Sequence, residues 1–224
     1  MSFSDEEFAA ATRFRLGQDL SLEGQRCANC YTTGGAHHRV GDRCSGRLDA
    51  PGLHAATCLV GGNRTATHNG QRDLWAQQLP GAGFAVHREQ HVPGRDRWAR
   101  RASGGWTRQR AVLDLRVEAP PDAPVTYLDV KVTHPCSATY VAGAAGENGF
   151  AAQKVEGDKQ ARYPANTQGV SGRLVPLVVE TYGRWGREGL RFLRRAAART
   201  AARTTGLAVL GGEGPPAVLG VWLQ

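Results

Sequence analysis

The chain has 224 residues, with 28 lysines and arginines against 20 acids and a formal charge of +8. That length suffices for one full core and a small appendage, and it excludes a polymerase and a nuclease together. The basic balance, mostly arginine, points to a polyanion such as nucleic acid. No apolar run approaches a membrane span, and the acidic start Met-Ser-Phe-Ser-Asp-Glu-Glu is unlike a secretory signal. The expectation is a soluble, intracellular protein with no membrane partner. Five cysteines, an odd number, suit metal ligation better than a disulfide framework.

Ser4 to Gly17 reads as a capped helix: Ser4 is the N-cap, Glu7 stands three positions on, and Gly17 is the stop, with Phe8, Ala11 and Leu16 as its buried side. From Leu20 to Gly62 the text turns to glycine, cysteine and histidine with little periodicity, too poor in apolar residues to fold around its own core. Cys27-x-x-Cys30 and His54-x-x-x-Cys58 supply two pairs of soft ligands for a structural Zn2+. The 23 residues between the pairs contain Cys44, His37 and His38, any of which can replace one of the four.

Asn63 to Leu79 reads as a helix, with Leu74, Trp75 and Leu79 inward and Pro80-Gly81 ending it. His68 and Arg72 lie one turn apart and are candidates to approach a phosphate backbone. Phe84 to Val92 alternates like a first strand, with Glu89 near its end. Pro93 to Gln109 mixes glycine, arginine and tryptophan irregularly, a basic loop with Trp98 and Trp106 available to stack on bases.

Ala111–Val117 and Tyr127–Thr133 then alternate with period two: Leu113, Leu115 and Val117 on one face of the first, Leu128, Val130 and Val132 on one face of the second. The proline-rich connector cannot continue a ladder, so the simplest geometry is an antiparallel hairpin centred near Pro121 and Asp122. That centre sets Asp114 opposite Asp129. Facing carboxylates repel unless a cation lies between them, and their oxygens suit Mg2+ or Mn2+. Lys131, two residues past the second acid, shares its face and can aim at a phosphate or an attacking water.

A helix is expected over roughly Glu147–Tyr163, with Lys159 and Tyr163 on one face; the alternative for its spacing is an ordinary surface ion pair of Glu156 and Lys159. Arg173–Tyr182 is nearly continuous apolar sequence and reads as a strand buried on both faces. Over Trp185–Arg203 a last long helix carries Arg187, Arg191, Arg194 or Arg195, Arg199 and Arg203, which with Arg184 before it form a cationic ridge for DNA phosphates. Beyond Gly211 comes a glycine and proline linker with an apolar end, Val218–Leu223.

Ser4-Asp-Glu-Glu-Phe, Arg15-Leu-Gly, the CxxC pair, His54-Ala55 with Cys58, Gly61-Gly62, His68-Asn69, Arg72-Asp73, Asp114, Asp129-Val-Lys131, Lys159 with Tyr163, and Val178-Val-Glu-Thr-Tyr-Gly-Arg-Trp-Gly186 together resemble one family. It is the restriction-enzyme-like endonuclease, of PD-(D/E)XK type, found at the end of site-specific non-LTR retrotransposon polyproteins. The resemblance implies an α/β fold, a restriction-endonuclease-like central mixed sheet flanked by helices and preceded by a zinc knuckle. It divides the chain into an N-terminal helix (1–20), a knuckle-like module (21–62), the core (63–210) and a tail (211–224). Asp114 and Asp129 would ligate Mg2+, Lys131 would orient the water, and Lys159 with Tyr163 would complete the site. The implied activity is nicking of target DNA. A reverse transcriptase or retroelement RNA of the parent element would be the partner, and the nucleus the location in a eukaryote. Leu113 stands where the family has proline, and Thr67 where it has arginine. The rival readings are a zinc-containing nucleic-acid-binding protein with an inert site, and a repair or restriction nuclease on the same core.

Overall fold

The computed structural model describes residues 4–31, 39–119, 124–163 and 172–211. His37, His38, residues 120–123 and the C-terminal tail lie outside them. The strands are β1 (Ala85–His91), β2 (Arg97–Arg100), β3 (Trp106–Gln109), β4 (Val112–Glu118), β5 (Thr126–Thr133) and β6 (Arg173–Glu180). The helices are α1 (Asp5–Arg15), α2 (Leu53–Thr57), α3 (Asn63–Gln78), α4 (Val141–Gly146), α5 (Phe150–Arg162) and α6 (Arg187–Gly211). The chain divides into two units: Met1–Asn69 with Val132–Ala151 and Glu180–Arg184, and Gly70–Lys131 with Ala152–Val179 and Trp185–Gln224. No helix among the described residues is long and apolar enough to cross a membrane.

The second unit is built on a four-stranded sheet in the order β1-β4-β5-β6. Its centre is the predicted hairpin: Leu115 pairs with Leu128, Arg116 with Tyr127 and Val117 with Thr126, the register that a turn centred between Pro121 and Asp122 dictates. β1 runs antiparallel to β4. β6 runs parallel to β5, since the Arg173 N–H donates to Val125 at one end and the Thr181 N–H to Thr133 at the other. The sheet is therefore mixed. Pro176, which has no N–H to give a ladder, falls in β6 at the sheet edge. Val175–Glu180 is buried throughout, as expected of a strand covered on both faces.

One face of the sheet supplies Leu115, Val117, Leu128, Val130, Val175 and Leu177 to the core, where Trp75, Leu79, Phe192, Leu193 and Ala196 meet them. Burying each such leucine or valine stabilises by about 1.5–3 kcal/mol. Trp75 and Trp185 pack edge to face at 5.5 Å. Leu74, expected inward, is 40% exposed, because a helix docked through Trp75 and Leu79 turns the position before Trp75, about 100° round the axis, away from the core. In α5, Val155 and Glu156 are buried.

Glu156 is not the surface ion-pair member that its spacing to Lys159 suggests. It is buried, and its carboxylate accepts the Glu188 and Gly189 N–H groups at 3.0 and 3.1 Å, so that α5 caps the start of α6. Gly186 makes room, since a Cβ there would lie 2.2 Å from Oε1. Burial pushes the Glu156 carboxyl up, against the pull of these amides. Glu156→Ala is expected to lower stability by about 2–3 kcal/mol, read from urea unfolding, because two or more buried N–H groups lose their acceptor.

Pro93–Gln109, expected as an irregular loop, forms a hairpin instead: β2 and β3 pair over Arg97↔Gln109 to Arg100↔Trp106. Alternation was hidden because arginine occupies both faces. Asp96, with its side chain 5% exposed, anchors the base by accepting from the Ala111 N–H at 2.7 Å, His91 Nε2 at 2.9 Å and Arg108 at 3.0 Å. The Ala111 hydrogen bond holds its carboxyl below the ordinary value against burial, and His91 and Arg108 add to the effect. A depressed carboxyl stabilises the fold above its unfolded pKa, ~3.9 for aspartate, and that contribution fades as pH falls through the folded value. Urea midpoints of wild type and Asp96→Asn should therefore differ at neutral pH and converge as pH falls through the folded value.

In the first unit α1 has the predicted capping box, Ser4 with Glu7. Phe8 and Leu16 are each 65% exposed, however, and α1 has no buried residue. Its contact is made by Phe14, whose ring lies 5.3 Å from Tyr182. The helix expected over Glu147–Tyr163 starts at Phe150, with α4 before it. There Phe150 lies against Gly143, where a Cβ would meet the ring at 2.4 Å.

Candidate functional site

The first unit holds a cluster of soft donors. Residues 25–30 and 43–48 form a ribbon, with bridges Arg26↔Arg47 and Cys30↔Arg43, the Cys27 N–H donating to Gly46 and the Cys44 N–H to Asn29. Side chains alternate along such a ribbon, so Cys27 and Cys44 leave by one face and Cys30 by the other. α2 contributes His54 near its start and Cys58 at its end. Asp49 fixes that helix by accepting the Leu53 and His54 N–H groups at 2.6 and 2.7 Å.

The donors of Cys27, Cys44, His54 and Cys58 all lie within 4.8 Å of one another. Cys27 to Cys58 is 3.9 Å, Cys58 to Cys44 is 3.8 Å, and Cys44 to His54 Nε2 is 3.6 Å. A tetrahedral metal with bonds of ~2.3 Å to sulfur spaces its sulfurs ~3.8 Å apart, so the Cys3His set fits a metal ion such as zinc. Cys30 is corrected out of the ligand set and Cys44 takes its place. The Cys30 thiol instead lies 3.6 Å from the Ala28 carbonyl, because the CxxC segment is extended and three steps along a strand reverse the face. Burial pushes the Cys27 thiol up; the Cys58 thiol lies low, as its hydrogen bonds with Asn29, Val60, Cys44 and Cys27 overcome its burial. Gly46 is needed where the imidazole crosses the ribbon, since a Cβ there would lie 2.1 Å from His54 Cε1.

The second unit holds a row of carboxylates. Register places Asp114 of β4 level with Asp129 of β5, beyond the last pair Leu115↔Leu128. The ladder stops there because the Asp114 carboxylate itself accepts the Val130 N–H at 2.6 Å, standing in for a backbone carbonyl. On the other side, the pairs Arg88↔Leu115 and Gln90↔Leu113 bring Glu89 of β1 to the level of Asp114. Glu89 adopts a left-handed backbone (φ 51°), a conformation uncommon outside glycine. Three acids from adjacent strands thus stand at one level.

Cations bracket the row. Lys159 of α5 places its ammonium 2.5 Å from Asp129, with the two side chains 12% and 14% exposed. Tyr163 follows one turn later; burial pushes its phenol up and the charge of Asp129 adds to that. Arg95, itself buried, donates to the Tyr163 carbonyl at 3.2 Å and the Gly172 carbonyl at 3.1 Å, fixing the end of α5. Lys131 is half-buried and shares the Asp129 face by strand alternation. At the other end Arg72 bonds Asp73 at 3.0 Å and pairs with Glu89. Its guanidinium, 13% exposed, also feels Asp114. Arg72, expected to face DNA phosphates, is therefore bound up with the acids.

Among the other nominated cations, His68 and Arg184 fall in the first unit, in α3 and in the turn after β6. Arg187, Arg191, Arg194 and Arg195 are exposed on the first turns of α6, where Arg191 pairs with Glu188 at 2.5 Å and Arg187 reaches Gln153 at 3.4 Å. Further along, Arg199 turns back over the Phe84 ring at 5.0 Å and donates to the Ala82 carbonyl. Arg203 lies against Gly83. Arg199 is therefore drawn out of the ridge, whereas Arg203 keeps an exposed side chain. Sequence reasoning missed Glu89 as a member of the row and the shared face of Cys27 and Cys44. The latter had a signal: Gly-x-Arg-Cys occurs twice, at 24–27 and 41–44, each copy opening on a left-handed glycine.

Comparison of the chain with protein-family models and with curated proteins finds no match.

Proposed function

We propose that the chain is a Mg2+- or Mn2+-dependent DNA endonuclease of restriction-enzyme-like, PD-(D/E)XK type, related to the endonucleases of site-specific non-LTR retrotransposons, with zinc in its Cys3His cluster. One observation carries the reading: two aspartates on neighbouring strands of a mixed sheet, with a lysine from a flanking helix 2.5 Å from the second. The donor set fits a hard cation, since Asp114 and Asp129 offer only oxygens and bring more negative charge than Lys159 offsets. Asp114 and Asp129 would hold it, and when bound it would supply charge at the scissile phosphate and a more acidic water. Lys159 holds Asp129 in position and, with Lys131 on the same strand face, sets positive charge where the phosphoryl oxygens gain negative charge. Tyr163, kept protonated by its surroundings, offers a hydrogen bond beside them. Hydrolysis would leave a 5′ phosphate and a 3′ hydroxyl.

The second reading, a nucleic-acid-binding protein with an inert site, draws on the same ion pairs, because Lys159 and Arg72 already neutralise two of the three acids. Nicking of supercoiled plasmid with Mg2+, compared between the wild type and Asp129→Ala, separates them. The nuclease reading expects nicking by the wild type alone. Salt-sensitive DNA binding without nicking by either protein would replace it with the second.

A further inference from the structure

The β2–β3 hairpin carries a face that cleavage does not use. Trp98 pairs with Arg108 and Arg100 with Trp106. Residues directly opposed in an antiparallel pair share a face, as do residues two apart on one strand. Trp98, Arg100, Trp106 and Arg108 therefore leave by the same side, in a checkerboard that sets each indole beside a guanidinium across the ribbon and another along it. Both tryptophans are 67% exposed and Arg108 is 59% exposed. The face is held in place, since Asp96 grips the hairpin at the Ala111 N–H and at Arg108. From Arg97 to Arg110 there are five arginines, all exposed, and no acid, so the charge calls for a polyanion.

We propose that this face binds an unpaired stretch of nucleic acid, with the indoles stacking on bases and the arginines taking the neighbouring phosphates. Only unpaired bases offer their faces to a side chain without unstacking a duplex. Diagonal neighbours such as these tryptophans stand ~7–8 Å apart, somewhat less at Cβ, about two steps of a stacked strand at ~3.4 Å each. An anionic membrane also attracts tryptophan and arginine, but insertion needs a continuous apolar face, which the alternation of ring and charge denies. The assignment stands independently of the carboxylate row.

The test titrates the whole protein against fluorescein-labelled oligothymidylate and oligouridylate of about 20 nucleotides, against a mixed-sequence duplex, and against phosphatidylcholine vesicles containing phosphatidylserine. Anisotropy and tryptophan emission are read. The single strands should bind and quench the indoles, and Trp98→Ala with Trp106→Ala should weaken that binding about 10-fold or more. Trp98→Phe with Trp106→Phe should retain most of it, and both variants should keep the wild-type circular dichroism. Tighter binding of one oligonucleotide identifies its source as exposed DNA or a transcript, and either supports the assignment. It is overturned if the alanine variant binds single strands like wild type, if the duplex binds as tightly and suffers the same loss, or if only the vesicles bind. The titrations are run without divalent metal ions, where the nuclease reading allows no cleavage, so a failure of cleavage and a failure of stacking are separable.

Discussion

Cys44→Ser is expected to strip the protein of its metal and the first unit of its fold, whereas Cys30→Ser leaves both intact. Zinc content by elemental analysis and circular dichroism during chelator titration read the difference. Wild type and Cys30→Ser should hold one zinc per chain, and Cys44→Ser essentially none. The expectation follows from how little else orders the segment. Among the described residues the hydrophobic cluster here buries three side chains, Cys27, Cys58 and Val60, with Tyr31, Cys44 and Leu48 packed against them, and two of the three are themselves ligands. So small an apolar core cannot offset the backbone entropy of the ribbon and α2, at about 1–2 kcal/mol per residue. A structural zinc contributes about 10–16 kcal/mol of apparent binding in isolated finger peptides, and where no site exists in the unfolded chain that energy becomes folding energy. Equal zinc loss from Cys30→Ser and Cys44→Ser would return the site to the CxxC pairing.

The two cysteine readings show where sequence pattern stops being informative. CxxC chelates when its turn is tight, and nothing in Cys27-Ala-Asn-Cys30 distinguishes a tight turn from an extended ribbon. The strand partner decides, and it lies at Arg43–Arg47, across a segment without periodicity. The β4–β5 hairpin was legible for the opposite reason. Its period-two pattern and proline-rich connector fix parity and register together, so the level placement of Asp114 and Asp129 follows from counting residues about Pro121 and Asp122. Lys159 was legible by helical spacing from Tyr163, but its contact with Asp129 rather than Glu156 was not. That choice depends on α5 burying Glu156 at the start of α6, a tertiary contact between residues more than 30 apart. Glu89 was seen only as a strand residue, because its place in the row depends on β1 pairing with β4, and its left-handed backbone breaks the alternation that would have exposed the register.

Substitutions at the two ends of the Asp129–Lys159 pair should have distinct consequences, and together they assign a role to each. Asp129→Asn keeps the shape but removes the charge, so Mg2+-dependent nicking should fall about 10²–10³-fold, the loss typical of removing one preorganised charge from a transition state. It also leaves the Lys159 ammonium, only 12% exposed, without its counter-charge, and should cost about 1–3 kcal/mol in unfolding experiments. Lys159→Met discriminates between positioning and chemistry. If the ammonium serves only to hold Asp129, methionine should lower nicking several-fold in a way that higher Mg2+ restores, because the freed carboxylate remains available to the ion. If the ammonium faces the phosphate, the loss should match that of Asp129→Asn and persist at saturating Mg2+. Glu89→Gln completes the set by freeing Arg72 from its charged partner at the far end of the row. Because the acid lies level with Asp114, nicking should fall by less than about tenfold if Glu89 acts through Arg72 alone, and by about 10²-fold if its carboxylate belongs to the ion site.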